Sequence, residues 1–220
     1  MNSSFAPMLL ILFMMVCFML AGSSRLQHCI RLISAQGLLI GCVPLLTWDW
    51  TNGAPHGEIL LVSAINIAVK FILLPWMMFR AAKKAGISRE LDPLIGYSWS
   101  LLAVIVFGAA AFFITGKMQL DAAQKLLIPA ALTSMMTGLF IIVARRKAIT
   151  QVLGFLAFEN GISLFGAVMH LEYGFLIELG ILLDVWVLVF LMGIAVFQIS
   201  CAFEHIDTDR MMLLKDTEDK

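Results

Sequence analysis

Apolar residues run through this chain in stretches broken only by short polar segments. Seven such stretches, about 6–23, 32–48, 59–79, 95–115, 126–144, 152–169 and 175–200, approach or exceed the roughly 20 residues that a helix needs to cross a bilayer. Hydrocarbon offers the backbone no outside hydrogen-bond partner, so each stretch is expected to be helical. Thr51-Asn52-Gly53-Ala54-Pro55 and Leu171-Glu172-Tyr173-Gly174 read as tight turns between helices. Trp48 and Trp50 fall where indole rings prefer to lie, at the membrane interface. Ser88 and Asp92-Pro93 mark the approach to the fourth helix, and Pro129 falls in the first turn of the fifth.

The polar residues inside these stretches are few, and their spacing is informative. Glu159 is the only ionisable residue within 152–169, and Glu159, Ser163 and Gly166 follow i, i+4, i+7, so they share one helix face. Lys70 lies about halfway along the third stretch, with Asn66 and Ser63 at i−4 and i−7. Pro75 lacks an N–H and leaves the carbonyl of Phe71 without its helical partner. In the seventh stretch Asp184 is deep, with Gly180 one turn earlier, while Glu178 is near the end. Glu178 and Asp184 are six residues apart and diverge by about 120°, so they are not a carboxylate pair. Charges at bilayer depth are costly and face a partner or a wet cavity, which makes Lys70, Glu159 and Asp184 candidates for a proton relay or for static ion pairs. Snorkelling is the alternative for Lys70, and a solvated acid the alternative for Glu178. Asn66, Ser63, Asn160, Ser163 and Glu178 are secondary polar candidates.

Composition agrees with an all-α integral membrane protein of about seven transmembrane helices: 61% of residues are hydrophobic, 14% are charged, and mean hydropathy is +0.95. No Lys or Arg precedes the first apolar stretch, which is therefore expected to be a retained helix rather than a cleaved signal. Net charge is zero, so the placement of charge carries the information. With the N-terminus outside, the inside segments hold Arg25, Arg31, Arg80, Lys83, Lys84, Arg89, Arg145, Arg146, Lys147, Arg210, Lys215 and Lys220. The outside loops hold only Lys117 and Lys125, which predicts N-terminus outside and C-terminus inside. The tail from residue 203 reads as a solvated inside segment.

Other chemistry is sparse. Cys17, Cys29, Cys42 and Cys201 form no CxxC and read as small hydrophobes. His28, His56, His170 and His205 all lie at helix ends or in loops, which disfavours haem ligation. With no phosphate loop, nucleophile motif or metal spacing, covalent or redox catalysis by this chain alone is not expected. A faint internal echo pairs Gln27, Gln36-Gly37 and Ile40 with Gln151, Asn160-Gly161 and Leu164 at an offset of 124. Helices one to three would then repeat helices five to seven.

The segment 145–163, a basic pair followed by Gly154 and then by Glu159-Asn160, resembles the second helix of the NuoK-type membrane subunit of complex I and its MrpC relatives in cation/proton antiporters. With Lys70-Phe71-Ile72-Leu73-Leu74-Pro75, Glu159-Asn160-Gly161 and Glu178-Leu179-Gly180-Ile181 followed by Asp184, the wider pattern is similar to the hydrogenase-4 component E family. That family is an elongated NuoK-like subunit of group 4 membrane-bound hydrogenase complexes. Aligned on Gly154, the NuoK-type acid falls at Leu156, so Glu159 is about one helical turn further along and keeps roughly the same face. The resemblance implies N-terminal helices within 1–120, a NuoK-like three-helix half within 121–202 and a cytoplasmic tail at 203–220. It implies proton transfer through Glu159, Asp184 and Lys70, no cofactor in this chain, and Ni-Fe and Fe-S centres in partner subunits. The implied partners are antiporter-like and NuoH-like membrane subunits and soluble NiFe hydrogenase-type subunits, in a bacterial or archaeal cytoplasmic membrane. A free-standing transporter of ions or small molecules and a purely structural scaffold are the rival readings.

Overall fold

A computed structural model describes residues 5–47, 57–84, 95–120 and 124–168, together with 186, 187, 189 and 193. The described residues are helical with no strand: α1 (Phe5–Gly22), α2 (Leu26–Thr47), α3 (Gly57–Asn66), α4 (Leu74–Lys84), α5 (Tyr97–Gly116), α6 (Gln124–Ala144) and α7 (Ala148–Val168). A π-helical segment, Ile67–Leu73, joins α3 to α4 without a break.

Five stretches among the described residues are long and apolar enough to cross a membrane: Leu26–Val43, Ser63–Lys83, Tyr97–Gly116, Gln124–Ala144 and Ala148–Gly166. α1 adds a shorter apolar helix, Pro7–Gly22. Most of the stretch 175–200, with Glu178, Gly180 and Asp184, lies outside the described residues. So do Trp48, Trp50, Ser88, Asp92-Pro93, the turns at 51–55 and 171–174, and the tail at 203–220. Two helices start earlier than their apolar runs, α2 at Leu26 rather than near 32 and α7 at Ala148 rather than near 152. Their opening turns carry polar residues: Gln27, His28 and Arg31 are exposed, and Gln151 Nε2 donates to the Arg145 carbonyl at 3.0 Å.

α6 and α7 form the closest hairpin. A Cβ placed on Gly138 would lie 2.4 Å from the backbone nitrogen of Phe158 and 2.5 Å from the carbonyl oxygen of Gly154. Only a residue without a side chain admits that approach, the small-residue packing that replaces hydrophobic attraction between helices in lipid. Ser134 Oγ donates to the Ala157 carbonyl at 2.7 Å and fixes the register. α1 packs on α2, α5 and α6, whereas α2 is packed on α7 and on the α3–π–α4 stretch.

Two apolar clusters make the core. One gathers Leu20, Ile30, Ile33, Leu74, Met78, Leu153, Leu156 and Ala157, and the other Phe13, Cys17, Ile40, Val43, Ala130 and Leu164. Along α2 the polar pair Gln36-Gly37 falls between Ile33 and Ile40, and along α7 Glu159, Asn160 and Ser163 fall between Ala157 and Leu164. A thin polar layer therefore separates two apolar ones.

Arg145 ties one end of the bundle together. Its Nη2 donates to the carbonyl of Ala21 at the end of α1 at 3.2 Å, and its guanidinium stacks 4.5 Å over the ring of Tyr97 at the start of α5. The ends of α1 and α6 and the starts of α5 and α7 thus share one end, which groups segments that the charge count assigns to a single side. Large apolar side chains stay exposed along α1 and α5, among them Met8, Met15, Ile105 and Phe113, a surface suited to acyl chains rather than water.

Candidate functional site

Lys70 and Glu159, 89 residues apart in sequence, meet in the polar layer. The Lys70 ammonium forms an ion pair with Glu159 Oε1, and both side chains are all but excluded from solvent, at 2% and 1% exposure. Lys70 Nζ also donates to Ser163 Oγ at 3.2 Å, and Ser163 Oγ donates to Glu159 Oε1 at 3.4 Å. The i, i+4 spacing of Glu159 and Ser163 makes this closed triangle possible, with one helix holding the acid and the hydroxyl at successive turns. Glu159 Oε2 has no hydrogen-bond partner among the described residues. One carboxylate oxygen is thus committed to the pair, and the other is buried without a partner among the described residues.

Three local features bring Lys70 to this place. First, Lys70 occupies the middle of the π-helical segment, where the N–H of Leu74 bonds to the carbonyl of Val69 five residues back. The wider turn changes which residues share a face, so α-helical counting from Ser63 and Asn66 does not carry over unaltered. Second, α2 presents Gly37 to the segment: a Cβ there would lie 2.7 Å from Lys70 Cβ and 2.9 Å from its carbonyl oxygen. Third, Ser34 Oγ donates at 3.0 Å to the carbonyl of Phe71, to which Pro75, four residues on, has no N–H to give. Two turns further along α2, the carbonyl of Gly41 accepts from Ser63 Oγ. Ser63 is therefore buried against α2 rather than bonded to Lys70.

Of the remaining sequence-derived candidates, Asn160, next to Glu159 in sequence, is buried and Asn66 is half-buried, while Asp184 and Glu178 lie outside the described residues. Sequence reasoning assigned no role to Ser34, Gly37 or Gly41. Their i, i+3, i+7 spacing and the small-xxx-small pattern of Gly37 and Gly41 were a readable sign of close helix contact. It also passed over a second polar contact, in which Gln36 Nε2 donates to Cys17 Sγ at 3.1 Å with both residues fully buried. The two glycines of the internal echo meet different neighbours: Gly37 faces Lys70, whereas Gly161 packs on the Ala131 carbonyl and Met135 of α6. Among the described residues no three His, Cys, Asp or Glu side chains converge as metal ligands would.

The site offers a buried, paired acid and base on two separate helices, steadied by a hydroxyl and reached through a proline-disturbed turn. Sequence comparison finds relatives with a matching extent. The chain is 29% identical over 194 residues to an uncharacterised protein of Mycobacterium tuberculosis, covering 87% of each. It is 27% identical over 160 residues to hydrogenase-4 component E of Escherichia coli, covering 72% of this chain and 74% of that one. The same figures hold for hydrogenase-4 component E of Shigella flexneri. This chain is a distant relative of hydrogenase-4 component E. No family model matches it, and no solved structure matches it.

Proposed function

We propose that this chain is a membrane subunit of a hydrogenase complex and that its Lys70–Glu159 pair takes part in moving protons through the membrane arm. The observation that carries the reading is the buried pair itself, with one oxygen of Glu159 held by Lys70 and Ser163 and the other without a partner among the described residues. A fixed ammonium beside a buried carboxylate couples the protonation of one to the charge of the other, because their mutual attraction is strong where water is excluded. Relatedness to hydrogenase-4 component E supports the setting.

In this reading the chain adds a seventh membrane-crossing helix within 175–200, counting α3 to α4 as one, on which Asp184 and Glu178 continue the path, and has its N-terminus outside and its C-terminus in the cytoplasm. Asn66 and Asn160 line the approach, while Ser63, whose hydroxyl is held by the Gly41 carbonyl, fixes α3 on α2. The chain links antiporter-like and NuoH-like membrane subunits in a prokaryotic cytoplasmic membrane, and soluble NiFe hydrogenase-type partners carry the Ni-Fe and Fe-S centres.

Two measurements test it. Purification of the chain in mild detergent is expected to bring down hydrogenase and antiporter-like subunits; recovery of the chain alone, active on reconstitution, would instead support a free-standing transporter. In the assembled complex, Glu159→Gln is expected to abolish proton translocation while hydrogen-dependent reduction of soluble dyes continues. Undiminished pumping in that variant would leave only a structural role for the pair.

A further inference from the structure

In lipid, a carbonyl that loses its helical N–H to a downstream proline has no water to turn to, so another group of the protein must supply a donor. Pro75 has no N–H to give to Phe71, four residues back, or to Lys70, five back in the pattern that the Leu74 N–H follows, and the Phe71 carbonyl accepts from the hydroxyl of Ser34 on α2, at 3.0 Å. The bond ties α2 to the residue that immediately follows Lys70.

That residue belongs to a π-helical turn. π-Helical turns accommodate an extra residue per turn and are rare, persisting mainly as short insertions near functional sites. Within Ile67–Leu73 only Lys70 is buried, and Phe71, Ile72 and Leu73 are exposed on the outer side. Besides the Lys70 bonds to α7 and the packing of Val69 on the core, the contacts on the segment's backbone named above come from α2. Gly37 supplies room against the Lys70 backbone, and Ser34, three residues earlier on the same face, supplies the hydrogen bond. Rewinding the segment as α-helix would rotate Lys70 relative to α7 and part it from Glu159 and Ser163.

We propose that Ser34 is a positioning residue: by holding the Phe71 carbonyl it maintains the π turn and so keeps the Lys70 ammonium on Glu159. The inference rests on the proton role proposed above, and it adds a control element that never touches the proton. With the bond made, Lys70 and Glu159 are paired; with it broken, the turn relaxes toward α-helix and the pair opens.

The test uses the assembled complex, with proton translocation measured per dye turnover. Ser34→Ala removes the donor and is expected to lower translocation about three- to tenfold, the range for loss of one neutral hydrogen bond. Ser34→Thr keeps a hydroxyl at the same position and is expected to restore most of it. In a Pro75→Ala background the new N–H reaches the Phe71 carbonyl only when the segment is α-helical and so favours rewinding, and Ser34→Ala is expected to add no further loss; additive losses would overturn the proposal. A structure of the Ser34→Ala complex is expected to show residues 67–73 rewound and Lys70 withdrawn from Glu159. An unchanged π turn with the pair intact would overturn the proposal even if pumping fell. Glu159→Gln, measured alongside, separates the two ideas. Full translocation in Ser34→Ala with none in Glu159→Gln overturns the positioning role and leaves the proton role standing, whereas full translocation in Glu159→Gln overturns both.

Discussion

Lys70 and Glu159 would each be very unfavourable alone in hydrocarbon, and each is stabilised there by the other and by Ser163. Removing one partner leaves a buried charge uncompensated, whereas removing both leaves an apolar contact of similar volume. Lys70→Met and Glu159→Leu singly are therefore expected to destabilise the protein by about 3–5 kcal/mol each, and the double variant is expected to recover most of that loss. Thermal unfolding in detergent would show it. A double variant no more stable than the weaker single one would mean that the pair is not the chief interaction of these side chains. Recovered stability combined with lost proton translocation would separate the fold's need for the pair from its use.

At the scale of elements, the bundle is organised by close backbone approach rather than by apolar bulk. α6 and α7 meet at Gly138 and Gly154, and α2 meets the π segment at Gly37 and Gly41, where a Cβ on Gly41 would lie 2.4 Å from Ile67 Cγ1. Position decides what each glycine tolerates. Gly138→Ala would push a methyl into the α7 backbone, which is rigid on both sides, and is expected to cost about 1–3 kcal/mol or more. Gly116→Ala at the end of α5 meets nothing within 4 Å and is expected to be neutral or slightly stabilising. Unfolding of both variants in the same detergent checks the contrast, and equal sensitivity at the two positions would contradict the packing described for α6 and α7.

At the scale of the whole molecule, Arg145 joins the end of α1 to the start of α5, and Lys117 lies at the other end of α5. α5 has 20 residues, about 30 Å of helix, so these two basic positions are a membrane apart. With the orientation that the basic residues predict, Lys117→Cys is expected to react with an impermeant thiol reagent on intact cells. Arg146→Cys is expected to react only after the membrane is opened. The reverse pattern would invert the orientation, and labelling of both from one side would contradict the helix arrangement.

Much of this was open to inspection in the chain. Long apolar runs dictated helices because no other backbone form satisfies its own polar groups in lipid, and Lys70 and Glu159 stood out because charge there is so unfavourable. The carbonyl left bare by Pro75 was also evident from sequence, since proline has no N–H to give. What the residues could not state was who meets whom. Lys70 pairing with Glu159, Ser34 reaching Phe71, and Gly37 making room for both are contacts between helices. Helix periodicity orders residues along one element but says nothing of which face of another it meets. The π turn is likewise not marked by the periodicity of residues 67–73, and it lies where Gly37 and Gly41 of α2 come close to Lys70 and Ile67.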